Sequence, residues 1–277
     1  MLAVRNVLKL WLLLAGFCGL FGLAGWQLGG LRLLTIFVFC ALLVAVGAYW
    51  YADKFVLGMV GGREVLLGES PTLHSTVERL AARAGVVKPR IYVLDDAYPR
   101  ALAAGRGPRG GSAIALSRGF LAVASPAELE GVVAHELAHL AHRDVLVQTS
   151  AVLISSALVE SSRVGGFLQR ALLFVLGPVA AAFTHLLLSP KREFAADREA
   201  ARICDSPHGL ADALVRLEQA MELVAFAGSP ATEPLWTANP FAEEGLATLF
   251  VTHPPIGERV RRLRELDPAW KDKLRAA

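Results

Sequence analysis

Two nearly uninterrupted apolar runs occupy the N-terminal part of the chain, VLKLWLLLAGFCGLFGLAGWQL (residues 7–28) and LRLLTIFVFCALLVAVGAYWY (31–51). Each has the roughly 20 residues that a helix needs to cross the hydrocarbon core of a bilayer. A secretory signal core is only about 7–15 residues long and is not followed at once by a second span. The pair therefore predicts a helical hairpin that stays in the membrane. Trp26, Trp50 and Tyr51 lie near the run ends, where aromatic rings favour the headgroup layer.

From 61 to 145 the pattern becomes mixed, as expected of a folded domain. Ser70-Pro71 supplies an N-cap and a first helical position, and Gly85 a stop. RIYVLD (90–95) and SAIAL (112–116) read as two short strands. Between them GRGPRG (105–110) matches GxGxxG, but Pro108 interrupts it and a strand follows, so it predicts a hairpin turn and not a dinucleotide site. SPAE (125–128) forms a capping box with Glu128 at the third helical position. The helix starting near Pro126 thus carries HELAHLAHRD (135–144) through its interior.

Two more apolar runs follow, VLVQTSAVLISSALV (145–159) and ALLFVLGPVAAAFTHLLL (171–188), the first interrupted by Gln148 and serines, the second carrying Pro178 and His185. They predict a second membrane hairpin. The remainder, 191–277, reads as mostly helical, with a Pro-rich irregular stretch at 228–240 and a closing helix from about Pro255. The expected organisation is a transmembrane hairpin over 1–52, the first half of a folded domain over 53–145, a second apolar hairpin over 146–190, and the second half of the domain over 191–277. The fold class is mainly α with a small β-sheet, α+β, in a multi-span membrane protein. Arg5 and Lys9 precede the first span, Lys54 and Arg63 follow the second, and only Arg32 lies between. Lys191, Arg192, Arg198 and Arg202 follow the fourth run. This bias puts both chain ends in the cytoplasm, although Arg163 and Arg170 in the second connection run against the rule.

Composition agrees. Charged residues make up 19% of the 277, below the roughly 25% of soluble proteins. The formal net charge of +3 leaves no polybasic footprint for nucleic acid. Cys18, Cys40 and Cys204 form no CxxC pair, so neither a disulfide nor a cysteine–zinc site is expected.

The chemistry lies in HELAHLAHRD. His135 and His139 fall on one helical face a turn apart, so both imidazoles can reach one ion. Neutral imidazole suits zinc, and two histidines leave positions for a third protein ligand and a water. Glu136 is rotated by about 100° from His135. Its carboxylate cannot readily join both histidines on the ion, but it can hydrogen-bond the water and accept its proton. A Glu and two His among Val, Leu and Ala would be costly to bury unpaired, which argues against a core helix that merely carries them. His142 lies two turns, about 10 Å, from His135, so it is expected as a supporting group. Val145 stands where the longer HExxHxxGxxH motif has its last histidine. The third ligand must come from elsewhere, and SPKREFAADREA (189–200) offers Glu193 and Asp197 on one face of a second helix. One carboxylate can bind the ion while the other orients a ligand histidine. Alone, the segment would read as a solvated charged face beside Lys191 and Arg192.

HELAHLAHRD, an apolar hairpin and then SPKREFAADREA resemble the HtpX heat-shock membrane proteases and, more distantly, the CAAX prenyl proteases of the same zinc-peptidase superfamily. The likeness extends to THPP (252–255) before a basic helix and to GRGPRGGSAIALSRGFL before the HExxH helix, nearly the whole chain. The resemblance implies a zincin domain of the gluzincin type with one Zn2+ per chain. It implies Glu193 as third zinc ligand, Asp197 as its helix partner, and His253 as a donor to the tetrahedral oxyanion. It further implies a stress-response endopeptidase for quality control of membrane or unfolded polypeptides, in a bacterial-type inner or plasma membrane with the catalytic domain in the cytoplasm. One departure is Arg100-Ala101-Leu102, where the family usually carries Asn-Ala-Phe along the substrate cleft. It bears on substrate preference and not on the zinc chemistry. An exposed edge at SAIAL is expected to pair with extended substrate. A CAAX-type processing peptidase would need more spans than the sequence offers. A non-catalytic membrane scaffold with a structural zinc would need four protein ligands and no Glu136.

Overall fold

The computed structural model describes residues 2–145, 147–149, 190–223 and 254–267. The described chain is mostly helical around one small mixed sheet. In order it forms α1 (Leu2–Met59), β1 (Gly62–Glu64), α2 (Pro71–Ala84), β2 (Arg90–Leu94), β3 (Ala101–Gly105), β4 (Ser112–Ser117), α3 (Arg118–Val123), α4 (Pro126–His142), α5 (Pro190–Cys204), α6 (His208–Leu223) and α7 (Ile256–Glu265).

The α1 segment is two helices joined at a break. Gly29 (φ −169°, ψ 31°) and Gly30 (φ 62°, ψ −148°) leave helical geometry, and a positive φ such as that of Gly30 is open to glycine without a Cβ penalty. The limbs fold back on each other as the apolar pattern predicts. A Cβ on Gly25 would lie 2.5 Å from the Leu33 carbonyl oxygen, and one on Gly22 would lie 3.0 Å from Val38. The rings of Phe21 and Phe37 stand 6.4 Å apart across the seam. Leu23, Leu28, Leu31, Ile36, Phe39, Leu42 and Leu43 point outward and are exposed. By length and composition alone, one stretch among the described residues, Gly25–Leu43, qualifies as a membrane span; it straddles the break at Gly29–Gly30, and only 6% of it is buried in the fold.

The last turns of α1 belong to the folded domain. Val56 and Leu57 pack on one face of the sheet against Tyr92, Leu94, Leu102, Ala104, Ala113 and Ala115. The alternate residues Ile91, Ala101, Ala103, Ile114 and Leu116 face the main core with α2 and α4. Because both faces are covered, the central strands read as continuous apolar runs. The strand order is β1-β2-β4-β3, with β1–β2 and β3–β4 antiparallel and β2–β4 parallel. Two of these strands, β1 and β3, carry no β-branched or aromatic signature and are fixed by pairing alone. SAIAL lies inside the sheet, between β2 and β3, and is not the edge expected for strand addition; the edge strands are β1 and β3.

GRGPRG closes the β3–β4 hairpin. Gly105 has φ 118°, and a Cβ there would stand 2.3 Å from the Gly111 carbonyl oxygen. These glycines serve a tight turn followed by a strand.

Helix α4 runs through the middle of the domain. Its start is the predicted capping box: the Glu128 amide donates to Ser125 Oγ at 3.3 Å and the Ser125 amide to Glu128 Oε2 at 2.6 Å. It ends at Arg143, held in the left-handed region at φ 60°. Gly131 allows α6 to approach closely, since a Cβ there would lie 2.4 Å from the Leu210 amide nitrogen. With α2, α5 and α6 around it, residues Gly131 to Leu140 are all buried. The third and fourth apolar runs, the 228–240 stretch and His253 lie outside the described residues, apart from the buried start of the third run at Val145 and at Val147, Gln148 and Thr149.

Candidate metal centre

Helix α4 carries His135 and His139 one turn apart, and α5 brings Glu193 to them. One ligand atom from each of the three lies within 4.8 Å of the others, and all three residues are buried. The two Nε2 atoms are 3.1 Å apart. Glu193 places Oε2 3.6 Å from the Nε2 of His135 and Oε1 3.6 Å from that of His139. Tetrahedral ligands at about 2.0–2.1 Å from zinc are separated by roughly 3.3–3.4 Å. The observed spacings bracket that value, so the donor set fits such an ion.

Each imidazole is held from behind. His135 Nδ1 lies 3.0 Å from Asp197 Oδ1, and His139 Nδ1 lies 3.1 Å from Asp144 Oδ2. Donation of Nδ1–H to these carboxylates assigns the tautomer and directs both Nε2 lone pairs to one point. Asp197 is itself clamped by Arg259 of α7, whose Nε and Nη2 donate at 3.0 and 2.7 Å. The same guanidinium lies alongside His135, with Nη2 3.3 Å from Nε2 and 3.5 Å from Nδ1. Arg192 Nη2 donates to Glu193 Oε1 at 3.0 Å. Four buried carboxylates (Glu136, Asp144, Glu193 and Asp197) thus share this region with two buried guanidinium groups (Arg192 and Arg259), an excess of two negative charges that suits a divalent cation.

Proton affinities follow the same field. Burial works against a charged His139, but Glu193 and Asp144 outweigh it and push its imidazole up to about 10. Burial would raise the Asp197 carboxyl, yet Arg259 and His135 hold it down at about 2. His142 is only half-buried, stands outside the three-residue cluster, and is held by burial below its ordinary value.

The structure brings together His135, His139 and Glu193, and sets Asp197 behind His135. Glu136 is buried on α4 beside them. Arg100 donates its amide to Ser117 Oγ at 2.9 Å and pairs with Asp96 at the entry to β3, the family's Asn position. Three residues escaped the sequence reading. Asp144 gave no periodic signal, because it folds back only through the left-handed turn at Arg143. Arg259 sits among Arg261, Arg262 and Arg264 in what reads as a solvated basic helix; its one signal is the i,i+4 spacing to the buried Leu263. Arg192 read as part of a solvated face, whereas it is 8% exposed beside the exposed Lys191.

The sequence profile described as peptidase family M48 matches residues 68–267. The chain belongs to peptidase family M48. A Protease HtpX homolog of Persephonella marina is 38% identical over 281 residues, spanning 94% of this chain and 97% of that protein. A Protease HtpX homolog of Pelotomaculum thermopropionicum is 37% identical, spanning 94% of this chain and 99% of that protein. The crystal structure of S. mikatae Ste24p shares the fold, with a TM-score of 0.51 at 19% identity, over 94% of this chain and 64% of that one. This M48 chain is accordingly a membrane metalloprotease, as its motifs predict.

Proposed function

We propose that this M48 protein is a zinc-dependent endopeptidase that cuts peptide bonds of membrane or misfolded proteins at the cytoplasmic face of the membrane. His135, His139 and Glu193 hold one zinc, Glu136 is the general base, and Asp197 orients His135. When bound, zinc polarises a carbonyl and lowers the pKa of a water in its open position towards about 7. Glu136, offset along α4 from the ligand histidines, accepts a proton from the attacking water and delivers it to the leaving amine. His253 of THPP donates to the oxyanion. His142 supports the end of the helix from outside the ligand set.

The observation that carries this reading is the convergence of both Nε2 atoms and one carboxylate, with each Nδ1 held by a separate buried carboxylate. A membrane setting is supported by the outward apolar face of the hairpin. In this reading 1–52 and 146–190 are the membrane hairpins, and 53–145 with 191–277 form the two halves of the protease domain. Docking of Val56 and Leu57 onto the sheet ties the domain closely to the end of the first hairpin. The test is Glu136→Gln in the full chain. Zinc stays bound at one per chain while cleavage of an unfolded polypeptide disappears; cleavage equal to the unsubstituted protein removes Glu136 from the mechanism.

A further inference from the structure

Arg192 and Arg259 are both buried beside the metal cluster, but they are used differently. Arg259 spends its Nε and Nη2 donors on Asp197. Arg192 uses only Nη2, on Glu193 Oε1 at 3.0 Å. Among the described residues its Nε and Nη1, both buried, have no hydrogen-bond partner, and the residue is only 8% exposed. A guanidinium cannot shed its proton to escape such a site. Folded proteins rarely leave charged donors buried and unmet, so the cost points to an acceptor that arrives with a ligand.

We propose that Arg192 is a substrate-binding residue that donates from Nε and Nη1 to backbone carbonyl oxygens of a bound polypeptide. This rests on the endopeptidase reading above and deepens it. The position suits the role: Nη2 touches the carboxylate whose oxygens lie 3.6 Å from both ligand histidines, so the guanidinium adjoins the three-residue cluster at which a peptide bond would be cut. Burial is no obstacle, because His135, His139 and Glu193 are as buried as Arg192. Carbonyl oxygens recur at every residue of an extended chain, so the contact reads main chain and not side chains, as broad handling of unfolded segments requires. Lysine in its place would keep the positive charge beside Glu193 but lose the planar fork and the Nε–H.

The test uses the full chain in detergent with Glu136→Gln to stop turnover. The probe is a fluorescein-labelled denatured casein fragment, followed by anisotropy, with zinc content and resistance to chelator measured alongside. Arg192→Lys in that background is expected to keep one zinc per chain and its chelator resistance, while probe affinity falls about 10- to 100-fold, the loss expected for hydrogen bonds from a charged donor. Arg192→Gln, with one amide donor and no charge, is expected to weaken binding at least as much. Unchanged probe affinity in Arg192→Lys overturns the proposal. Loss of zinc in both variants also overturns it, making Arg192 a counter-ion of the metal site. Undiminished cleavage by the Glu136→Gln parent is a separate result and counts against the endopeptidase mechanism itself.

Discussion

Replacing Arg259 with Met tests how the metal cluster is built. Arg259 is fully buried, forms two hydrogen bonds to Asp197 at 3.0 and 2.7 Å, and lies alongside His135. Methionine fills much of the same volume but leaves Asp197 as a buried carboxylate without its counter-ion. Removing one partner of a buried pair costs about 3–5 kcal/mol. Asp197 keeps its contact with His135 Nδ1 at 3.0 Å, so the lower end, about 3 kcal/mol, is expected. Loosening the carboxylate that aims His135 should also weaken zinc binding by about 10- to 100-fold. Urea unfolding of the metal-free protein in detergent measures the first effect, and competition with a chromophoric chelator the second. The double variant Arg259→Met with Asp197→Asn removes the stranded charge while keeping an acceptor for His135, and should recover most of the lost stability. A loss below about 1 kcal/mol, the range of exposed ion pairs, would refute the reasoning, as would a double variant no more stable than the single one.

Two further outcomes follow from the same geometry. In the metal-free protein the carboxylates of Glu193 and Asp144 hold a proton on His139, whose pKa is about 10 against an ordinary 6.5. A raised imidazole pKa contributes stability that is complete below about 6.5 and lost as pH rises through about 10. Because zinc must displace that proton, apparent zinc affinity should rise about tenfold per pH unit between roughly pH 7 and 9. Calorimetry in buffers of different ionisation enthalpy should count close to one proton released per zinc; no pH dependence would show His139 neutral beforehand. Asp144→Ala removes the acceptor 3.1 Å behind His139 and should cost about 10- to 100-fold in zinc affinity, with Asp144→Asn recovering part of it.

Local chemistry was legible along the chain. The Ser125–Glu128 box sets the start of α4, and helical periodicity then puts His135 and His139 on one face without any tertiary contact. The two glycines at 29–30 break a long apolar segment, so the hairpin needed only its own composition. Gly105 and its neighbours declared a turn because their positive φ values favour glycine. By contrast, β3 is alanine-rich and becomes a strand only by pairing with β4, so the sequence pattern alone leaves SAIAL looking like an edge.

The sequence by itself determined what depends on a few neighbouring residues: caps, helical faces, turns, the lengths of the apolar runs, and the pair of imidazoles one turn apart. Only the tertiary structure decided which charged side chains are removed from water. Arg259 and Arg192 resemble their solvated neighbours in sequence, and Asp144 reaches His139 only because Arg143 reverses the helix end. Burial of a charge depends on which distant helix packs over it, and no local propensity carries that information. The convergence of Glu193, Asp197 and Arg259 on α4 is for that reason a property of the packed domain.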